Sequence, residues 1–309
     1  MFNKIKRLVK DPKSFIGYAM IDNCPHLMSD KFYLSMLWKM KMGYELDWKH
    51  PKKFNEKLQW LKLNDRKPEY TIMVDKYRAK QWIAGKIGEQ YVIPTLAVYN
   101  SADEIDLGKL PEQFVLKCNH DSGSVVICKN KFAFDLEAAK RMLGSAMKKN
   151  FFWEAREWPY KNVKPLIFAE KFLEGIDLKE APADYKFYCF NGEPKLFYIT
   201  SDKGGDLPTR QDFFDIYGRH MDLQDVNYPN NPTHVPELPN KLDDMLRVCH
   251  LLAKDTLHLR VDFYEIEGRV YCGELTFFEN AGFCKFIPEK YNRILGDWIK
   301  LPIDEGFKQ

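Results

Sequence analysis

The sequence predicts an α+β fold, and three observations carry that prediction. Apolar residues recur at helical spacing in four regions of the 309-residue chain, short apolar or alternating runs lie between those regions, and hairpin signals join several of the runs. Asn191-Gly192, between Asp184 to Phe190 and Lys195 to Thr200, is the clearest such signal, because Asn-Gly suits the tight turn that returns a strand antiparallel.

In chain order, residues 1 to about 65 read as helical: Leu34, Leu37, Trp38 and Met42 share a face, His50-Pro51 breaks the run, and Phe54, Leu58 and Leu61 resume it. Asp75 to Gly88 is a further helix, followed by an expected strand at Gln90 to Ile93 that Pro94 stops, and a second at Ala97 to Tyr99. Ser101 to Glu112 is a helix-poor linker, Phe114 to Ile127 a hairpin, and Leu136 to Asn150 an amphipathic helix with Ala138, Ala139, Met142, Leu143 and Met147 on one side. Leu166 to Phe172 is a strand. Residues 201 to 240, rich in Asp, Pro, Asn and Gly, read as one long irregular segment; a helix at Met245 to Asp255 and strands at Leu259 to Ile266 and Val270 to Phe278 follow.

Composition narrows the class. Apolar residues make up 45% and charged residues 29%, which is ordinary for a soluble globular protein, and a net charge of +3 gives no footprint for nucleic acid. The seven cysteines, at 24, 118, 128, 189, 249, 272 and 284, form no CxxC pair and read as small buried apolar residues of a reducing compartment. No apolar run reaches membrane-spanning length, and the start MFNKIKRLVKDPKSF lacks a signal-peptide core, so the expected location is cytoplasmic. Phe2, Ile5, Leu8 and Val9, interleaved with Lys4, Lys6, Arg7 and Lys10, are compatible with a basic amphipathic helix on an anionic membrane face, although so short a segment favours a first helix packed on the body.

The chemistry concentrates in a few segments. In FVLKCNHDSGSVVI, Lys117 closes an apolar strand and a small polar loop with Gly123 precedes the returning strand. Backbone N–H groups of such a loop approach phosphate closely and the lysine adds fixed charge, although a plain hairpin whose lysine reaches to water has the same pattern. In RVDFYEIEGRVYCGEL, Val261, Phe263, Tyr271, Leu275 and Phe277 are all odd-numbered. One buried face for them places Arg260, Asp262, Cys272, Glu274 and Thr276 together on the other. Facing carboxylates repel unless a cation lies between them, and Mg²⁺ shared with phosphate oxygens suits the pair. Asp184 and Lys186 alternate onto one face of their strand, placing a carboxylate and an ammonium in one space, and FAEKFLEG at Phe168 to Gly175 offers apolar side chains with free backbone groups, as an adenine ring requires.

Taken together, DKYRAK (75 to 80), FVLKCNHDSGSVVI, AEKFLEG, DYKFYCFNGEP and RVDFYEIEGRVYCGEL resemble, in order and character, the motifs of the ATP-grasp ligases, and PKKFNEKLQWLKLND with VDKYRAKQWIAGKIGEQYVIP resembles their TupA-like branch, associated with teichuronopeptide and surface-polysaccharide synthesis. The resemblance runs from about Lys31 to the end. It implies an ATP-grasp fold holding ATP between two α+β subdomains, with a helical region at 1–65, an α/β subdomain at 66–112, a lid at 113–175 and a metal-bearing central and C-terminal subdomain at 176–309. It implies ATP and Mg²⁺ as cofactors. Lys76 and Lys117 would contact phosphates, with the loop His120, Ser122, Gly123 and Ser124 folded over them. Glu170, Lys171, Phe172 and Leu173 would hold adenine, Asp184 the ribose, and Lys186 would reach the phosphates or the acyl group. Asp262 and Glu274 would be metal ligands and Arg260 would steady a tetrahedral intermediate. Where the family usually carries Asn two residues after the metal-binding Glu, this chain has Thr276, leaving Thr276 or Asn280 as the third metal contact.

The reaction so implied is ADP-forming ligation of a carboxylate to an amine through an acyl phosphate. The carboxylate would belong to a uronate or glutamyl unit of a surface polymer or precursor and the amine to an amino acid or small amino alcohol, with no nucleic-acid partner. A nucleotide-sugar glycosyltransferase is the alternative, for which the sequence offers only Asp243-Asp244 at the start of an expected helix. A binding scaffold without catalysis would be expected to lack the phosphate-facing lysines.

Overall fold

Every strand ladder among the described residues is antiparallel, as the hairpin signals require. The computed structural model describes residues 25–173, 183–202 and 208–305, so the basic segment around Phe2 to Lys10 lies outside the described residues. None of the described helices is long and apolar enough to cross a membrane. The six described cysteines are buried thiols.

The helical first part contains α1 (Asp30–Met42), α2 (Phe54–Asn64), α3 (Pro68–Val74) and α4 (Arg78–Ile87). Helix α1 opens on the Ser29 side chain, which accepts the Phe32 N–H, and closes at Gly43 in the left-handed region. The Glu56 carboxylate accepts the backbone N–H groups of Lys52 and Lys53 at the start of α2. Buried on most sides, α2 satisfies its polar groups individually: Asn55 exchanges bonds with the Cys284 backbone, Lys57 donates to the Ile299 carbonyl, and Gln59 donates to Ala281 and Gly282.

Four strands form the smaller sheet: β1 (Thr95–Tyr99), β2 (Phe114–Cys118), β3 (Val125–Cys128) and β4 (Ile167–Lys171), ordered β1-β4-β2-β3. Helix α5 (Leu136–Met147) covers it with Ala139, Leu143 and Ala146, while Met142, expected inside, is exposed. Helix α6 (Phe152–Ala155) connects back toward β4. Larger and fully antiparallel, the second sheet runs β10-β9-β5-β6-β7, built from β5 (Asp184–Phe190), β6 (Glu193–Ser201), β7 (Arg210–Asp215), β9 (His258–Ile266) and β10 (Arg269–Thr276). Helix α7 (Leu242–Ala253) packs Met245, Val248, Cys249 and Leu252 into its core. A two-stranded ribbon, β8 (Gln224–Asp225) with β11 (Phe286–Ile287), and α8 (Lys290–Trp298) complete the chain. Helices α2 to α4 share the core of the larger sheet, whereas β1 belongs to the smaller one.

Two expectations are corrected. Gln90 to Ile93 is not a strand: a 3-10 turn spans Glu89–Tyr91 after Gly88 ends α4, and the Tyr91 hydroxyl is tied to Asp244. The 201 to 240 segment is not wholly irregular, because β7 pairs Arg210 to Asp215 with Ser201 to Leu196 at the sheet edge. In β7 Phe213 and Phe214 are both buried, one on each face of the strand, so Arg-Gln-Asp-Phe-Phe-Asp lacks the apolar alternation that marks a strand.

Candidate active site

The last hairpin places Asp262 opposite Glu274 and Arg260 opposite Thr276, so these four side chains share a face as apolar parity required. Parity fails beyond Glu274. A β-bulge between Cys272 and Glu274 puts Cys272 beside Phe263 on the buried face and turns Tyr271 to the other face beside Tyr264, which exchanges the two positions expected from odd and even numbering. Gly273 is the extra residue, and a Cβ there would lie 2.7 Å from the Tyr264 ring, so only glycine fits without displacing that ring.

Arg260 forks Asp262, with Nε 2.6 Å from Oδ1 and Nη2 2.7 Å from Oδ2, and its Nη1 donates to the buried Glu279 carboxylate. Lys186 donates to both Asp262 (2.5 Å) and Asp184 (2.7 Å). Burial alone would raise the Asp262 carboxyl, but Arg260 and Lys186 outweigh it and hold it below its ordinary range. Burial would lower the Lys186 ammonium, and Asp262 and Asp184 reverse the direction and raise it. Arg260, Asp262 and Lys186 are therefore ionised together at neutral pH. Asp184 is buried against Lys186.

The second wall comes from the smaller sheet and the α3–α4 junction. Lys117, at the end of β2, pairs with the buried Glu170 of β4, and Lys80 of α4 reaches the other Glu170 oxygen at 2.7 Å. Burial pushes the Glu170 carboxyl up, yet the two ammonium groups prevail and hold it low. Lys76 joins the walls: its backbone N–H donates to the Asn119 carbonyl, and its ammonium donates to the Asp121 carbonyl and lies 3.0 Å from Glu274. In the β2–β3 loop the Ser124 hydroxyl donates to Asp121, Gly123 has φ +94°, and Ser122 and Gly123 are exposed. His120 has a different place from the one expected, since its ring is buried with Nε2 3.2 Å from the Ala146 carbonyl and Nδ1 3.3 Å from Asn119. It braces the loop from inside the smaller layer.

Of the segment expected to face adenine, Glu170 turns to the lysines, the Lys171 side chain is exposed, and Phe172 and Leu173 are buried. Leu173 joins Ile93 and Ile266, with Tyr264 and Tyr271 packed on them, in an apolar patch linking the two layers. A small cavity beside it is walled by Lys76, Lys80, Glu170 and Glu274. Two charged members of the site, Lys80 and Glu279, escaped the sequence reading. Lys80 stands in the DKYRAK motif itself; Glu279 follows the strand, where parity gives no orientation.

Among the described residues no group of three or more His, Cys, Asp or Glu side chains could hold a metal ion. What is present is the facing pair Asp262 and Glu274, with the buried Thr276 hydroxyl oxygen beside them lacking a hydrogen-bond partner among the described residues. Such an oxygen set fits Mg²⁺, which is typically held by one or two carboxylates and completed by water and phosphate oxygens. Asn280 is exposed, and its amide lies 3.7 Å from Cys284 Sγ. The acidic pair Asp243-Asp244 lies elsewhere, in the first turn of α7, where Asp244 binds Tyr91 and Arg247.

A family model described as TupA-like ATPgrasp matches residues 56–300. Among solved structures, the chain is similar to the ATP complex of D-alanine–D-alanine ligase from Bacillus anthracis, with 18% identity, 67% of this chain and 55% of that chain covered, and a TM-score of 0.37. It is also similar to D-alanine–D-alanine ligase from Helicobacter pylori (16% identity, 80% and 69% covered, TM-score 0.40) and L-amino acid ligase from Bacillus licheniformis (11%, 89% and 63%, TM-score 0.47). The chain thus spans little more than half the length of the first of these. No curated protein matches it in sequence.

Proposed function

The chain belongs to the TupA-like ATP-grasp family, and from that premise we propose that it is an ATP-dependent, ADP-forming carboxylate–amine ligase that amidates a uronate or glutamyl carboxylate of a surface polysaccharide or its precursor. The observation that carries the ligase reading is Lys76, which spans from the phosphate-type loop at Asp121 to Glu274 on the facing sheet, so cations from two layers converge on one carboxylate pair.

In this reading the nucleotide lies between the two sheets. Lys76, Lys117 and the N–H groups around Ser122, Gly123 and Ser124 receive its phosphates, exchanging their present carboxylate and carbonyl partners for phosphate oxygens. Backbone groups of Lys171 to Leu173 meet the adenine edge against the Leu173, Ile93 and Ile266 patch. Asp262, Glu274 and the Thr276 hydroxyl would hold Mg²⁺, which would supply positive charge to offset that of the phosphates. Lys80 keeps Glu170 occupied, and Asp184 orients Lys186.

The reaction has two displacements. A substrate carboxylate oxygen attacks the γ-phosphorus and ADP leaves; an amine then attacks the acyl carbonyl, inorganic phosphate leaves and one proton is released. Arg260, its guanidinium fixed by Asp262 and Glu279, stands where negative charge grows on the acyl oxygen, and Lys186 supplies a second positive charge. Little covalent chemistry is asked of the protein. To test the reading, the full chain is incubated with ATP, Mg²⁺, a uronate-bearing acceptor and hydroxylamine. ADP release with hydroxamate trapping is expected, together with loss of both in Lys117→Ala; consumption of a nucleotide sugar with ATP untouched would overturn it.

A further inference from the structure

A cleft of about 370 Å³ opens between α1, the start of α2, the β8–β11 ribbon and α8, and none of its lining residues belongs to the site described above. Trp38, fully buried, closes its base. Lys41 and Lys285 line the same cleft, and neither has a carboxylate partner among the described residues. The one carboxylate in the lining, Glu289, is already held by Lys53 at 2.8 Å and Asn292 at 2.9 Å.

Charge and shape point to one ligand class. The Lys41 ammonium, 4.6 Å from the Phe283 ring centroid, is pushed below its ordinary range by partial burial and then by the charge of Lys285, so an anion between the two lysines relieves a standing repulsion. Tyr44, Val226 and Ile287 form an exposed apolar rim. A flat ring with C–H faces and hydroxyl edges suits such a rim, and a carboxylate suits the lysine pair. We propose that this cleft binds a sugar acid, its carboxylate between Lys41 and Lys285 and its C–H face against Tyr44. The site goes beyond the ligase reading and stands without it.

Isothermal titration of the full chain with trigalacturonate, maltotriose and inorganic phosphate separates the components of this assignment. Trigalacturonate should bind at least tenfold tighter than maltotriose and lose affinity with added salt. Lys285→Met and Lys41→Met should each weaken trigalacturonate about tenfold or more, while Lys290→Met, an exposed lysine outside the cleft paired with Asp222, should leave it within twofold. Lys117→Ala should also leave it within twofold, because that lysine lies in the other site. Equal binding of maltotriose, equal competition by phosphate, equal weakening in Lys290→Met, or loss in Lys117→Ala would each overturn the assignment. Since this readout is binding alone, its failure is distinct from a failure of hydroxamate trapping.

Discussion

Lys76 Nζ lies 3.0 Å from Glu274 Oε1, joining a residue just before α4 to a carboxylate on an edge strand of the larger sheet. About a quarter of the Glu274 side chain remains exposed, so the pair sits at the mouth of the cleft rather than in a core. Burial raises the Glu274 carboxyl, but Lys76 leads the cations that hold it ionised. Removing the ammonium in Lys76→Met takes one charge-assisted contact from the nucleotide, worth about 1.5–3 kcal/mol, so the ATP concentration for half-maximal ADP release should rise roughly 10- to 100-fold. Glu274→Gln should instead shift the Mg²⁺ dependence upward by tenfold or more. An unchanged Mg²⁺ midpoint in that variant would remove Glu274 from the metal site.

The shared face of Arg260, Asp262, Glu274 and Thr276 was legible because the apolar residues around it all want the same side of a sheet. Tyr271 and Cys272 were not, because a bulge changes parity at a single residue and leaves no mark in hydropathy. Gly273 carried the only trace, as an isolated glycine within a strand pattern. Helix α2 shows the other blind spot. Its Asn55, Lys57, Gln59 and Lys62 are buried, each satisfied by backbone carbonyls distant in sequence, and no periodicity of apolar residues anticipates that. His120 read as a ligand-facing loop residue for the same reason, since its partner Ala146 lies on a helix 26 positions away.

The bulge makes Gly273 a residue of the site. Alanine there must displace the Tyr264 ring, which flanks Asp184 in the ladder, or draw Glu274 out of register with Asp262. Overpacking of this kind costs about 1–3 kcal/mol. Gly273→Ala should therefore lower the melting temperature by several degrees and reduce kcat as well, whereas Gly268→Ala in the turn of the same hairpin, at φ +72° with open space around it, should cost stability alone. Equal kcat in the two variants would sink the link between the bulge and the carboxylate pair.

Lys62 holds the turn that carries Glu279. Its buried ammonium donates to the Ala281 and Ala155 carbonyls at 2.8 Å each, and Asn280 and Ala281 occupy left-handed backbone at φ 45° and 53°, a conformation that costs non-glycine residues about 1–3 kcal/mol each. Burial pushes the ammonium down to about 7, with the nearby Glu157 opposing the shift. In Lys62→Met the stem volume stays and the donor goes, so the turn should relax and Glu279 lose its hold on Arg260. Steady-state kinetics should show kcat down about tenfold with the ATP KM within twofold. A fall in melting temperature with kcat intact would reduce Lys62 to a purely structural group.

Acid sensitivity should trace to His258. The ring is buried among Phe54, Tyr188 and Phe190, and Nδ1 lies 3.1 Å from the Cys189 carbonyl, which only accepts, so the proton sits on Nδ1; among the described residues Nε2 has no partner. Burial, with Arg260 adding to it, pushes this histidine down to about 3, while an unfolded histidine titrates near 6.5. Between those values the unfolded chain binds one more proton than the folded one, so the stability this residue provides is complete above about pH 6.5 and falls as pH drops toward 3. The slope is about 1.4 kcal/mol per pH unit, or roughly 2 kcal/mol between pH 6.5 and 5. His258→Phe keeps an aromatic ring in the box and removes the titration. Urea unfolding from pH 7.5 to 5 should show wild type losing that much more stability than the variant; parallel curves would place the acid sensitivity in other groups.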